Sequence, residues 1–169
     1  MTQKYAFQTE AEDTAKAYGK DLGISTKASI EIANYLRGRT TAKAKSLLEE
    51  VLAKKRAIPF KRFTDGVGHR KGQNIAAGRY PQKATQEFLG LIKQAEANAQ
   101  NKGLGEELKI IHLAAHKAGG QRRPGRHGSR EFKRTHLEIA VKEQVKQKTK
   151  QKESKKPNQQ KQVEESKND

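Results

Sequence analysis

The stretch "LKIIHLAAHKAGGQRRPGRHGSREFKRTHLEIAVK", residues 108–142, decides how this chain folds. Its second flank alternates strictly. Thr135, Leu137, Ile139 and Val141 fall on one side, and His136, Glu138, Ala140 and Lys142 fall on the other. Successive strand side chains point to opposite faces, so this is the pattern of a half-buried strand. The first flank fits two templates. Leu108, Ile110 and His112 alternate with Lys109, Ile111 and Leu113, yet Leu108, Ile111, His112 and Ala115 also fall at helical spacing. The run is short, bounded by glycine and preceded by a long helical pattern, which favours a strand. Two strands in succession after a set of helices predict an antiparallel pair in an α+β domain. Between them, residues 116–134 carry seven Lys/Arg, one acid, four glycines and one proline.

Working back toward the N-terminus, three helices are predicted. In "ISTKASIEIANYLRGRT", Ser25 or Thr26 is placed to cap a first helix, and Ala28, Ile32, Tyr35 and Leu36 share one face. Gly38 supplies the left-handed residue that ends it. In "TTAKAKSLLEEVLAKKRAIPF", Thr40 or Thr41 caps a second helix whose stripe is Ala44, Leu47, Leu48, Val51 and Leu52, and Pro59 halts what remains of it. The third helix opens on Pro81, carries Ala84, Phe88, Leu91, Ile92, Ala95 and Ala99 on one side, and ends at Gly103. The segment "EAEDTAKAYGKDLG" reads as weakly helical, with a short edge strand expected around Tyr5 to Phe7. Residues 144–169 hold no aromatic and almost no aliphatic side chain, so a charged low-complexity tail is expected there, beyond a folded domain of 1–143.

The 169-residue chain has a net charge of +17 and an apolar fraction of 33%. That charge is concentrated. Residues 51–83 hold nine Lys/Arg against one acid and residues 116–134 hold seven against one, whereas 84–115 hold three bases and four acids. Clustered like charges repel unless a polyanion neutralises them. Nucleic acid is the natural partner, because phosphate neutralisation releases counterions. With no cysteine, neither a disulfide nor a thiolate metal site can form. No apolar run is long enough for a membrane helix, and "MTQKYAFQTEAEDTAK" lacks the apolar centre of a secretion signal, so a soluble cytoplasmic protein is expected.

Catalytic chemistry finds little support. Asp65 and Glu131 stand alone in the basic segments, whereas a two-metal nuclease needs several converging carboxylates. His112 and His116 have metal-ligand spacing on a helix, but no further ligand completes a site. "GVGHRKG" departs from the dinucleotide fingerprint and follows no clear strand. The long connector "KKRAIPFKRFTDGVGHRKGQNIAAGRYP" instead combines cations, glycines and aromatics, which suit an RNA backbone. Phe60 and Phe63 are placed either to stack on bases or, the favoured reading, to anchor the loop on the helices. No cofactor is implied, and the Gly-broken basic segments do not suit a membrane-surface helix.

The blocks "ISTKASIEIANYLRGRT", "KKRAIPFKRFTDGVGHRKG", "GRYPQKATQEFLGLIKQAEANAQNKGL", "IIHLAAHK" and "KRTHLEIAV" occur in order between about residues 4 and 143. Together they resemble the large-ribosomal-subunit protein family numbered twenty-two in bacteria and seventeen in eukaryotes. The "RAIPFKRFTDGVGHRKG" insertion is similar to the archaeal and eukaryotic type. The resemblance implies helices packed on a small three-stranded antiparallel sheet, with a long projecting β-hairpin at Leu108–Val141 extended over Lys117–Arg134. It implies a non-enzymatic constituent of the large subunit that binds large-subunit rRNA and neighbouring ribosomal proteins, supports assembly, and helps form the wall of the nascent-polypeptide exit tunnel. The nascent chain would then be a further partner. The implied rRNA-binding set is Lys27, Arg37, Arg39, Lys55, Arg56, Lys61, Arg62, His69, Arg70, Lys71, Arg79, Tyr80 and Lys83 from the helices and first basic segment. His116, Lys117, Arg122, Arg123, Arg126, His127, Arg130, Lys133 and Arg134 belong to the second. The hairpin tip is expected at Arg123, Pro124, Gly125 and Arg126, although "RRPGRHGSR" is only loosely similar to the tips of relatives. A free-standing nucleic-acid chaperone or nucleoid protein is the alternative, and it would need no defined hairpin.

Overall fold

The computed structural model describes residues 5–8, 13–72 and 75–144. In chain order its elements are β1 (Thr14–Leu22), α1 (Thr26–Leu36), α2 (Thr41–Leu52), β2 (Ile58–Pro59), β3 (Gly78–Arg79), α3 (Gln82–Asn101), β4 (Leu108–Lys117), β5 (Arg122–Gly125), β6 (Gly128–Glu131) and β7 (Thr135–Glu143). Three helices and an antiparallel sheet of order β1–β7–β4 make an α+β fold. Of the tail expected at residues 144–169, all but residue 144 lies outside the described residues.

The deciding stretch forms β4 and β7, paired from Leu108↔Glu143 to Lys117↔Thr135. The ambiguity of the first flank has a physical cause. The register shifts between Ile110 and His112, so Ile111 is a bulge residue and the alternation restarts after it. Leu108, Ile110 and Leu113 are therefore all buried, although simple alternation puts Leu113 opposite the other two. On β7, Leu137, Ile139 and Val141 face the helices and are fully buried. The reading of β7 as half-buried needs correction, because Glu138 and Ala140 on its other face are also buried. The chain's own N-terminal segment covers them. Phe7 stacks on His112 with ring centroids 4.9 Å apart, and the Glu138 carboxylate accepts hydrogen bonds from the Ala6 and Phe7 amides, each 2.9 Å long. Tyr5–Phe7 thus forms no edge strand.

The edge strand is β1 instead, and the weakly helical reading of "EAEDTAKAYGKDLG" is overturned from Thr14 onward. Alanine favours a helix locally, but here tertiary packing wins. Ala15 and Ala17 are small and buried, which lets α3 lie close. Asn98 of α3 donates to the Lys16 carbonyl and Lys102 to the Thr14 carbonyl, both at 2.8 Å. These bonds occupy backbone acceptors that an open sheet edge would otherwise leave exposed.

The helices follow their apolar stripes. Ala84, Phe88, Leu91, Ile92, Ala95 and Ala99 of α3 are all buried, as are Ala44, Leu47, Leu48 and Val51 of α2. Thr40 caps α2 by accepting from the Lys43 amide at 3.4 Å. Ser25 precedes α1, but its side chain makes no capping bond. The second helix stops at Leu52, well before Pro59, because the chain turns through Lys54 at φ 58°. Pro59 sits in the short β2–β3 pairing.

Candidate nucleic-acid interface

The first basic segment runs as an irregular loop from α2 to α3, cinched by β2–β3. Phe60 is buried and Phe63 packs against the core, so the two phenylalanines anchor the loop. A second anchor was not legible in the sequence. Glu31 of α1 is 2% exposed, and one of its carboxylate oxygens accepts from both the Arg62 and Phe63 amides, at 2.7 and 2.8 Å. A carboxylate accepting two amides is strongly held. Here it turns the loop so that Lys61 and Arg62 face solvent.

Several of the cations named from the sequence are braced on aromatic rings. Lys27 and Arg62 both lie over Phe63, at 5.7 and 5.4 Å from the ring centroid. Arg70 lies over Tyr80 at 5.7 Å, and Arg79 over Phe60 at 5.9 Å. Arg79 also donates to the Gly66 carbonyl at 2.9 Å. His69 bridges to Ala77 across the loop, while Lys55 and Lys71 are exposed. Such stacking fixes a guanidinium while leaving donors outward.

Four members of the set are brought together. Arg37, Arg39, Arg56 and Lys61 line one cleft with Asn34, Tyr35 and Pro59. Arg37 and Arg39 flank Gly38, whose φ of 80° suits glycine and whose amide donates to the Ile110 carbonyl at 2.9 Å. The Ile110 amide in turn donates to the Arg39 carbonyl at 2.9 Å, pinning this turn to the sheet. The two basic segments also meet beside Gly23. A side chain there would lie 3.5 Å from Lys83 Nζ and 3.7 Å from Arg134 Nη1. Arg134 is steadied by donating to the Asp21 carbonyl at 3.1 Å.

The rest of the second segment stands apart from that cleft. β5 and β6 form their own ladder, joined to β4 and β7 by the Ala118 amide on the Arg134 carbonyl and the Phe132 amide on the Gln121 carbonyl. His116, Lys117, Arg122, Arg123, Arg126, His127, Arg130 and Lys133 are all exposed. The turn itself is Arg126–His127, bracketed by the Gly125↔Gly128 pair. Arg123 and Pro124 lie earlier, on β5, facing Arg130 and Ser129. Phe132 was not singled out from the sequence. It is the large apolar side chain left exposed among the described residues, at 43%, and Arg123 lies over its ring at 4.8 Å.

Counter-charge is scarce. Among the described residues, Lys45–Glu96 and Arg56–Glu50 are the ion pairs joining a Lys or Arg to a carboxylate. Arg123 is placed directly across the ladder from Arg130, a like-charge pairing that is unfavourable in isolation. Among the described residues, no group of three or more His, Asp or Glu is placed to hold a metal ion, and no helix is long and apolar enough to cross a membrane.

Sequence comparison gives this arrangement a context. The family described as ribosomal protein L22p/L17e matches residues 17–142. The large ribosomal subunit protein uL22 of Methanococcoides burtonii is 47% identical over 112 residues, covering 66% of this chain and 74% of the relative. That of Methanoculleus marisnigri is 40% identical over 146 residues, covering 82% and 95%. That of Ignicoccus hospitalis is 43% identical over 142 residues, covering 78% and 89%.

Proposed function

The chain belongs to the ribosomal protein L22p/L17e family, and from that premise we propose that it is held in the large ribosomal subunit by its cationic surfaces binding rRNA. It is a structural constituent and not an enzyme, in keeping with relatives named as large ribosomal subunit proteins in archaea. Its place is therefore the cytoplasmic ribosome, among rRNA and other ribosomal proteins.

The observation that carries the rRNA reading is the arm formed by β5 and β6. A lone two-stranded ladder is marginal in water. This one is exposed throughout and, although Arg122 faces Glu131, it sets Arg123 against Arg130, which favours external negative charge beside it. Phosphate and sugar contacts from Lys55, Arg62, Arg70, Lys71, Arg79, Lys83 and the arm supply affinity, while RNA shape and unpaired loops supply specificity. We propose further that this arm, which turns at Arg126–His127, lines the exit tunnel and meets the nascent chain, as the family resemblance implies.

The test is sedimentation of a tagged chain in extract of its own cells. Cofractionation with large subunits and 70S or 80S particles is expected. Recovery at the top of the gradient, with DNA and RNA bound indiscriminately, would overturn this reading in favour of a nucleic-acid chaperone.

A further inference from the structure

We propose that the cleft between α1 and the first basic loop receives a single unpaired rRNA nucleotide turned out of its strand, with its phosphate on Arg37, Arg39 and Lys61 and its base on the apolar floor. The proposal rests on the rRNA-binding reading above and names the ligand of one part of that surface.

The cleft measures ≈ 660 Å³, within the range of about 300–1,000 Å³ that suits small ligands. Its lining divides by chemistry. Pro59, Ile75 and the half-buried Tyr35 offer apolar and aromatic surface, which a backbone phosphate alone would not use. Arg37, Arg39, Arg56 and Lys61 supply positive charge around it. Against these four cations stands one acid in the lining, Glu31, with one oxygen held by the Arg62 and Phe63 amides, and Glu50 outside it pairs with Arg56. The field in the cleft therefore favours an anion.

The arginines are set in place before any ligand arrives. Arg37 Nη2 donates to the Leu113 carbonyl at 2.8 Å, and Arg39 Nε donates to the Tyr35 carbonyl at 2.8 Å. Each guanidinium has five N–H donors, so both keep donors for phosphate oxygens. Fixing these long side chains during folding lowers the ordering cost of binding. The Arg39 guanidinium also lies 4.5 Å over the Tyr35 ring. RNA-binding proteins stack splayed-out bases on such arginine planes and aromatic rings. Asn34, exposed at the rim, carries an amide that can donate to and accept from a base edge. Cations, a stacking platform and an amide converge here around a cleft, whereas on the arm Phe132 and Arg123 lie on an exposed ladder.

The test is NMR titration of the full chain with the four ribonucleoside 5′-monophosphates, with ribose 5-phosphate as the baseless control. At least one mononucleotide should bind about tenfold tighter than the control, the scale of one base–aromatic stack. Its shifts should centre on residues 34–39 and 59–61. A trinucleotide with that base in the middle should bind at least as tightly. Replacing the exposed Asn34 with Ala should level the preference among the four bases. The proposal is overturned if all four mononucleotides match ribose 5-phosphate. It is also overturned if the shifts fall equally on the arm, or if the trinucleotide, whose phosphates are diesters, fails to bind where the mononucleotide binds, since the occupant would then be a free nucleotide. An unchanged base preference in Asn34→Ala would contradict reading at that rim. Affinity of the unaltered chain for a large-subunit rRNA transcript separates the two failures. Transcript binding without base-dependent cleft binding sinks the cleft alone, and absence of both sinks the rRNA reading.

Discussion

Glu31 and Glu138 solve the same problem at two places. Each is a buried carboxylate that accepts two consecutive backbone amides and so ties an irregular segment to a regular element. Replacing Glu31 with Ala leaves the Arg62 and Phe63 amides without their acceptor. The expected loss is about 2 kcal/mol in urea unfolding, since orphaned donors cost about 1–3 kcal/mol. His112 gives a second expectation. Its pKa is lowered from 6.5, first by burial beneath Phe7, then by Arg37 and His116, against the opposing pull of Glu138. The unfolded chain therefore takes up more protons as the pH falls. The stabilising contribution is complete above 6.5 and is lost as the pH drops through and below it. Melting temperature should fall between about pH 7.5 and about pH 5.5, and His112→Gln should flatten that fall. The cations of the interface were legible in the sequence, because clustered Lys and Arg can be counted. The glutamates were not, because an acid beside an apolar stripe looks the same whether it meets water or two distant amides.

The elements that sequence periodicity reached best are those whose partners lie on one side only. The α3 stripe is long, regular and wholly buried, so its pattern had one reading. The strand β1 was missed because its core face is made of alanine and glycine, which carry a helical or neutral local signal. β4 was ambiguous because the bulge at Ile111 breaks period two in its middle. The arm makes the clearest separation of stability from function. Deleting Gly119–Arg130 removes β5 and most of β6 but nothing of the buried core. Far-UV helicity should be retained, with rRNA affinity reduced. Collapse of helicity in that deletion would contradict an arm that packs mainly on itself. Arg123→Glu should act oppositely on the two properties. It places a carboxylate across from Arg130, stabilising the ladder by about 0.2–1 kcal/mol, while lowering rRNA affinity. Amide exchange on the arm and filter binding would read the two effects separately.

At the scale of the whole molecule, charge and core are segregated. The apolar faces of α1, α2 and α3 meet one face of the β1–β7–β4 sheet. The cations are displaced onto the loop, the cleft and the arm, where Arg56–Glu50 is the one ion pair of a Lys or Arg with a carboxylate among the described residues. A net charge of +17 whose bases cluster in two segments marks a protein whose counter-ion is a macromolecule. The central claim is that rRNA phosphate supplies that charge, and the measurement that tests it most directly is affinity for a large-subunit rRNA transcript as a function of salt. With six or more phosphates neutralised, affinity should fall by about a thousandfold between about 50 mM and about 200 mM salt, linearly in log–log form. An affinity that is nearly flat over that range would contradict the account.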